Sequence, residues 1–205
     1  MMYPHFYKDI QGWFTIGQRK LYEYQVHHGT DKSHFVEIGA WKGRSTSYMG
    51  IELLHSNKNI KFDVVDTWMG SDENAHKKDL AVINNTLYKE FLENMKPIIS
   101  VINPIRMTSV DASQLYENNS LDFVFIDASH KYNDVKDDIE HWFPKVRKGG
   151  MLAGDDLSWP GVGKAVKELL PEYKNVNEFF EKKRLSKNVW IHIKCQKSFR
   201  NNDRY

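Results

Sequence analysis

Three short apolar runs, rich in β-branched and aromatic residues, stand out along the chain: His34–Gly39 (HFVEIG), Ile60–Asp66 (IKFDVVD) and Leu121–Asp127 (LDFVFID). They are continuous rather than alternating, which is the pattern of parallel strands covered on both faces. Ile98–Ile102 and Met151–Asp155 are two further strand candidates, and the alternating Val189–Cys195 (VWIHIKC) reads as a closing strand. Between these runs the period becomes helical. Val135, Ile139, Trp142 and Phe143 fall at i, i+4, i+7 and i+8, with Pro144 as the stop. Val162, Ala165, Val166, Leu169 and Leu170 repeat that spacing before Pro171. Strands alternating with such helices predict βαβ units and an open, mostly parallel, doubly wound α/β sheet. The first 33 residues, with Trp13, Phe14, Leu21, Tyr22 and Tyr24, read as a helical lead-in packed on the sheet. The polar end, Gln196–Tyr205, is expected to fray. Thr67–Pro97 is the longest connection, with a polar stretch, Gly70–Asp79, ahead of a helical run; connections of that length are often functional.

With 205 residues and neither an internal repeat nor a low-complexity linker, the expectation is one domain over residues 1–205. Hydrophobic residues at 40% and charged residues at 27% exclude a disordered or collagenous chain. Lys and Arg number 29 against 27 Asp and Glu, and a net charge of +2 is no footprint for a nucleic-acid partner. The sequence offers neither an 18-residue apolar run nor a signal-peptide core, and its lone Cys195 has no intrachain partner for a disulfide. A soluble, cytoplasmic domain with no membrane partner is expected.

The most informative stretch is FVEIGAWKGRSTS, from Phe35 to Ser47. A strand ends at Gly39, the chain turns, and a helix begins near Gly43–Ser45. Glycine belongs where backbone bends tightly or a ligand comes close. The pattern is E-x-G-x-x-x-G, and Trp41 occupies the place of a dinucleotide motif's middle glycine. A helix N-terminus still attracts a carboxylate there, although an ordinary βα turn would carry the same two glycines. Asp66 closes the second strand, where a carboxylate can accept both hydroxyls of a ribose or merely cap a helix. Two such features at the carboxyl ends of neighbouring strands favour an adenosine-containing ligand.

A second constellation is acidic. Asp127 ends one strand, and Asp155–Asp156 follow the next. Three carboxylates at one sheet edge repel unless protonated or bound to a cation, and oxygen ligands suit Mg²⁺, Mn²⁺ or Ca²⁺. The bland alternative is a helix cap and a turn. His130, three residues beyond Asp127, can remove a proton from a hydroxyl, with Lys131 as the neighbouring alternative. Trp13, Trp41, Trp68 and Trp159 either wall a pocket or belong to the core.

FVEIGAWKGRS, VVDTWMGS, FVFIDASHKY and GGMLAGDD, in that order, resemble the class I S-adenosylmethionine-dependent methyltransferases. More narrowly they resemble the small metal-dependent branch similar to catechol and sugar O-methyltransferases. The resemblance runs from about Asp9 to Cys195. It implies a Rossmann-like, seven-stranded, mostly parallel sheet with the last strand antiparallel and helices on both faces. It also implies S-adenosyl-L-methionine as cofactor, with Glu37, Gly39 and Gly43 lining its methionine portion, Asp66 at the ribose, Ser109 near the adenine, and Ala40, Ser45, Thr67 and Asp127 as further cofactor-binding residues. Asp111 competes with Ser109, because MTSVDAS lacks the family's usual glycine. The metal, Mg²⁺ first, would be held by Asp127, Asp155 and Asp156, where the family commonly has Asn as third ligand. His130 would be the catalytic base beside Asp127, and the partner a small hydroxylated acceptor. Three rivals stay open: a metal-free methyltransferase of the same fold, an NAD-dependent oxidoreductase disfavoured by Trp41, and a non-catalytic cofactor-binding module. The acceptor's identity is left open, and a homo-oligomer is allowed.

Overall fold

A computed structural model of the chain describes residues 3–182 and 184–195; the tail expected to fray lies outside them. Helix α1 (Ile16–His28) precedes β1 (His34–Ile38), α2 (Arg44–Ser56) and β2 (Lys61–Asp66). The long connection folds into α3 (Asn74–Lys77), α4 (Leu80–Ile83) and α5 (Leu87–Met95) before β3 (Asn103–Arg106) and α6 (Ser109–Ser113). Then come β4 (Leu121–Ile126), α7 (Tyr132–Trp142), β5 (Val146–Gly154) and α8 (Pro160–Leu169), and finally β6 (Lys174–Asn175), α9 (Val176–Phe179) and β7 (Trp190–Ile193).

The seven strands form one sheet in the order β3-β2-β1-β4-β5-β7-β6, parallel from β3 through β5, with β7 antiparallel to both β5 and β6. This is the Rossmann-like arrangement the sequence predicts. Residues next to each other in a strand face opposite layers, and β1 sends apolar side chains to both. Phe35, with Phe62, Val64, Phe123 and Phe125, packs under α1, α2 and α5. Val36 and Ile38, with Val65, Val124 and Ile126, pack under α6, α7 and α8. Burial on both faces is what made these strands read as continuous runs. Among the described residues no helix is long and apolar enough to cross a membrane.

Two expectations need correction. Ile98–Ile102 is not a strand: Lys96–Val101 is a 3-10 turn with Pro97 at its start, and Ile98 is buried from that turn against α2. The apolar run reflects core packing without a ladder. The strand follows it at Asn103–Arg106, and its Pro104 can be accommodated because β3 lies at the edge of the sheet and pairs on one side only. The lead-in is helical only from Ile16, where Thr15 and Gln18 form a capping box. Before it, residues 3–15 contain a single 3-10 turn, Tyr7–Asp9, and lie against α2, where Arg44 Nη1 donates to the carbonyls of Ile10 (3.2 Å) and Gly12 (3.1 Å).

Helix α6 packs on α7 through a buried polar contact. Ser109 Oγ accepts a hydrogen bond from Trp142 Nε1 (2.8 Å) and also bonds Asp138, which is 5% exposed. Burial pushes the Asp138 carboxyl up to about 7, against the smaller effect of the Ser109 bond. A carboxyl whose folded pKa is raised contributes stability below its unfolded value, and that contribution is lost as pH rises through the folded value. We therefore expect Asp138→Asn to change stability little at pH 4 and to raise it by about 2–4 kcal/mol at pH 8, read from urea midpoints at the two pH values.

The sheet also fixes one glycine. Gly39 follows β1 with φ +88°, and a Cβ there would lie 2.0 Å from the carbonyl oxygen of Asp127 at the end of β4. Gly39→Ala should destabilise the protein by about 3 kcal/mol through strain and forced separation of the two strand ends, measured by urea unfolding.

Candidate active site

Strand order reverses between β1 and β4, and the carboxyl ends on either side of that point are where an open α/β sheet binds ligands. The Gly39 amide donates to Val65 O (2.9 Å) and the Asp127 amide to Ile38 O (2.8 Å), so the strand ends are joined by backbone. Asp66 then organises the turn. One carboxylate oxygen accepts the amides of Ala40 (2.8 Å) and Trp41 (2.9 Å), and the other accepts that of Trp68 (2.7 Å). Trp41, at φ +53°, offers its carbonyl to the indole N–H of Trp68 (3.0 Å). Gly43 begins α2 at φ +91°, pressed by the Met95 side chain.

Glu37 is 1% exposed and sits beneath this turn. Its carboxylate accepts hydrogen bonds from Tyr22 Oη (2.8 Å), from Thr46 and from Ser45. Burial holds its pKa above the usual carboxylate value even so. Those contacts tie α1 and α2 to β1.

The acidic edge is less well satisfied. Asp127 receives one side-chain bond, from Gln18 Nε2 (3.1 Å), and burial followed by the charges of Asp155 and Asp156 drives its pKa well up. Asp155 is pushed to about 6 by burial and then by Asp156, and its Oδ1 is buried with no hydrogen-bond partner. Asp156, at φ +60°, turns to His130 Nε2 (2.6 Å). On the ring's other side Nδ1 stands 2.9 Å from Glu73 as an ion pair, without the alignment of a hydrogen bond. Trp159 stacks on the ring at 4.2 Å. The bond to Asp156, followed by the charges of Asp156, Glu73 and Asp155, raises the His130 pKa against an opposing effect of burial. The two flanking carboxylates thus favour the protonated form of the imidazole.

A cavity of about 450 Å³ joins these parts. Of the residues singled out in the sequence, Gly39, Ala40, Ser45, Asp127, His130, Asp155 and Asp156 line it. Glu37, Gly43, Asp66, Thr67 and Ser109 do not: the first three are built into the turn, and Ser109 belongs to the α6–α7 contact. Asp111 pairs with the Thr108 hydroxyl that caps α6 (2.6 Å). Trp13, Trp41 and Trp159 do wall the cavity, whereas Trp68 is core at 1% exposure.

The sequence reading missed Glu73, His76 and Gln18. His76 lines the cavity and stacks on Trp41 at 3.9 Å, Glu73 pairs with His130, and Lys131 pairs with Asp72 beside it. The polar stretch within the long connection was the only signal for the first two. Buried Lys42 secures that connection through Asp79 (2.8 Å) and Glu90 (3.1 Å). Nothing local marks Gln18, which sits on α1.

The donor set at the acidic edge fits a hard cation in chemistry, three carboxylates with one buried oxygen unpartnered. In position the oxygens stand apart, Asp156 on His130 and Asp127 on Gln18. Among the described residues, the ligand atoms of a three-residue set come within 4.8 Å of one another only at His5, Glu52 and His55.

Residues 36–157, more than half of the chain, match the family described as a methyltransferase domain. Over 143 residues the chain is 26% identical to the uncharacterized protein y4gI of Sinorhizobium fredii, a match covering 70% of this chain and 15% of that protein, so the chain spans a small part of that relative's length. The solved structure of the O-methyltransferase NovP superposes with a TM-score of 0.58 at 18% identity, over 87% of this chain and 78% of NovP. The apo structure of CalS11, a TDP-rhamnose 3'-O-methyltransferase in calicheamicin biosynthesis, gives 0.54 at 16% identity, over 87% and 77%. At these identities the structural likeness is one of fold, while the family match sets aside the NAD-dependent reading. The chain belongs to the methyltransferase-domain family.

Proposed function

We propose that the protein transfers the methyl group of S-adenosylmethionine to a hydroxyl oxygen of a small acceptor, such as a sugar or an aromatic, with a divalent cation at the acidic edge. The observation that carries this reading is the single cavity that runs from the turn after β1 to the acids after β4 and β5. Its volume suits a small-molecule site. The activities named for NovP and CalS11 support an oxygen acceptor of this kind.

In this reading Gly39, Ala40 and Ser45 receive the methionine portion at the start of α2, and Asp66 serves the ribose from the neighbouring strand end. Thr67 and Ser109 remain the proposed contacts farther along the cofactor, outside the cavity. Asp127, Asp155 and Asp156 would hold Mg²⁺, which when bound supplies a Lewis acid for the acceptor oxygen. Trp13, Trp41 and Trp159 exclude water and orient the acceptor, so that oxygen, methyl and sulfur align. His130 lines the same cavity and can take the acceptor's proton, and the carboxylates of Asp156 and Glu73 would stabilise the ring once it has done so. A second reading, metal-free transfer on the same fold, is favoured by the Asp156–His130 pair, which leaves the three carboxylates unassembled.

The two readings separate in a direct assay. With S-adenosylmethionine and a panel of hydroxylated acceptors, we expect EDTA to abolish transfer and Mg²⁺ to restore it. Mg²⁺ should also raise the melting temperature by binding the folded state, and Asp155→Ala should remove both effects while leaving cofactor affinity nearly unchanged. No metal-dependent melting shift and full activity in EDTA would leave the metal-free reading standing.

Asp66→Ala should weaken S-adenosylmethionine binding by about tenfold to a hundredfold, the loss of charge-assisted bonds worth about 1.5–3 kcal/mol. Calorimetry on the folded variant checks this, and unchanged affinity would remove Asp66 from the cofactor site.

A further inference from the structure

The segment before α1 crosses α2 and places three metal-ligating side chains together, none of which lines the active-site cavity. His5 Nε2 lies 2.9 Å from Glu52 Oε1, and His55 Nδ1 lies 3.9 Å from the same oxygen. All three ligand atoms fall within 4.8 Å of one another. Glu52 and His55 are three residues apart on α2 and share its surface. His5 is held by stacking on Tyr48, also on α2, at 4.3 Å and 15°.

The second imidazole nitrogen of His55 gives an independent indication. His55 Nε2 is 2.8 Å from the carbonyl oxygen of Tyr3. A carbonyl only accepts, so Nε2 carries the hydrogen, and in the neutral ring Nδ1 presents a lone pair toward Glu52 Oε1. Glu52 Oε1 already accepts from His5 Nε2 (2.9 Å), so the His55 lone pair is turned toward an oxygen that has its donor, and a dication in place of that hydrogen would be shared by all three side chains. A histidine that donates its outer N–H to a backbone carbonyl while its inner nitrogen faces a cluster is the arrangement found around bound metals. The spacing also fits. Ligands about 2.1 Å from a tetrahedral ion stand about 3.4 Å apart, between the two separations seen here.

We infer that His5, Glu52 and His55 form a binding site for a transition-metal dication, Zn²⁺ foremost, that fastens the N-terminal segment to α2. Two imidazoles and one carboxylate suit zinc better than magnesium, and three protein ligands leave a fourth position for water. The consequence reaches the active site through the chain: the fastened segment continues to Gly12 and Trp13, which line the cavity.

The test uses untagged, metal-stripped protein titrated with ZnCl₂ by calorimetry in the presence of Mg²⁺. The expected result is one tight site per chain, weakened about tenfold or more by His5→Gln and by His55→Gln, and unchanged by Asp155→Ala. Hydrogen exchange should show Zn²⁺ slowing residues 3–12 in the wild type and not in His5→Gln. Absence of Zn²⁺ binding, wild-type affinity in both histidine variants, or loss of the site only in Asp155→Ala would each overturn the inference. The last outcome would place the ion at the acidic edge, where it would bear on the proposed catalysis rather than on this site.

Discussion

Gly39 stands against the carbonyl of Asp127 with no room for a Cβ, and the layout of the site depends on that approach. Because β1 and β4 are neighbours while the chain leaves them toward opposite layers, their ends diverge into a crevice floored by backbone. A side chain at residue 39 would wedge the strands apart and move the turn, the start of α2 and the acid after β4 together. Asp66 acts on the same turn from β2, its two oxygens holding three amides. The turn after β1 and the acidic edge are therefore built on the same pair of strand ends.

The acids around this point have opposite environments. Glu37 is surrounded by the hydroxyls of Tyr22, Ser45 and Thr46, so its burial is offset by hydrogen bonds and it works as a bracket between helices. Asp127 has a single amide donor, and Asp155 keeps an unpartnered buried oxygen. Unmet electrostatic demand of this kind concentrates at functional sites, since a purely structural acid would have been paired. His130 meets part of that demand by engaging Asp156 and standing beside Glu73. Protonation of His130 and the arrangement of the acids are thus one coupled property.

The connection that follows β2 brings Glu73 and His76 over the cavity, and its placement rests on charges. Lys42 holds Asp79 and Glu90 below, and Lys131 holds Asp72 above. The segment before α1 closes the other side with Gly12 and Trp13, held by Arg44. Both walls come from parts of the chain without a strand, attached by ion pairs and carbonyl contacts at their margins.

How much of this was legible in the sequence follows from the range of the forces involved. Strands β1, β2 and β4, the helices α7 and α8, and the glycine turn after β1 were readable because burial imprints a local period and a positive φ selects glycine. The order of the acids was readable for the same reason, as each ends a recognisable strand. Ile98 misled because burial alone does not distinguish a turn from a ladder, and Pro97 and Pro104 decided between them. Glu37, Asp66 and Ser109 were singled out by position, but only the fold revealed that hydroxyls, turn amides and Trp142 engage them. The partners that set the chemistry, Gln18 on Asp127 and Glu73 on His130, lie far apart in the chain. Desolvation and Coulomb energies depend on distances of a few ångströms in space. Local pattern therefore determined which elements form, and tertiary structure alone decided which charges meet.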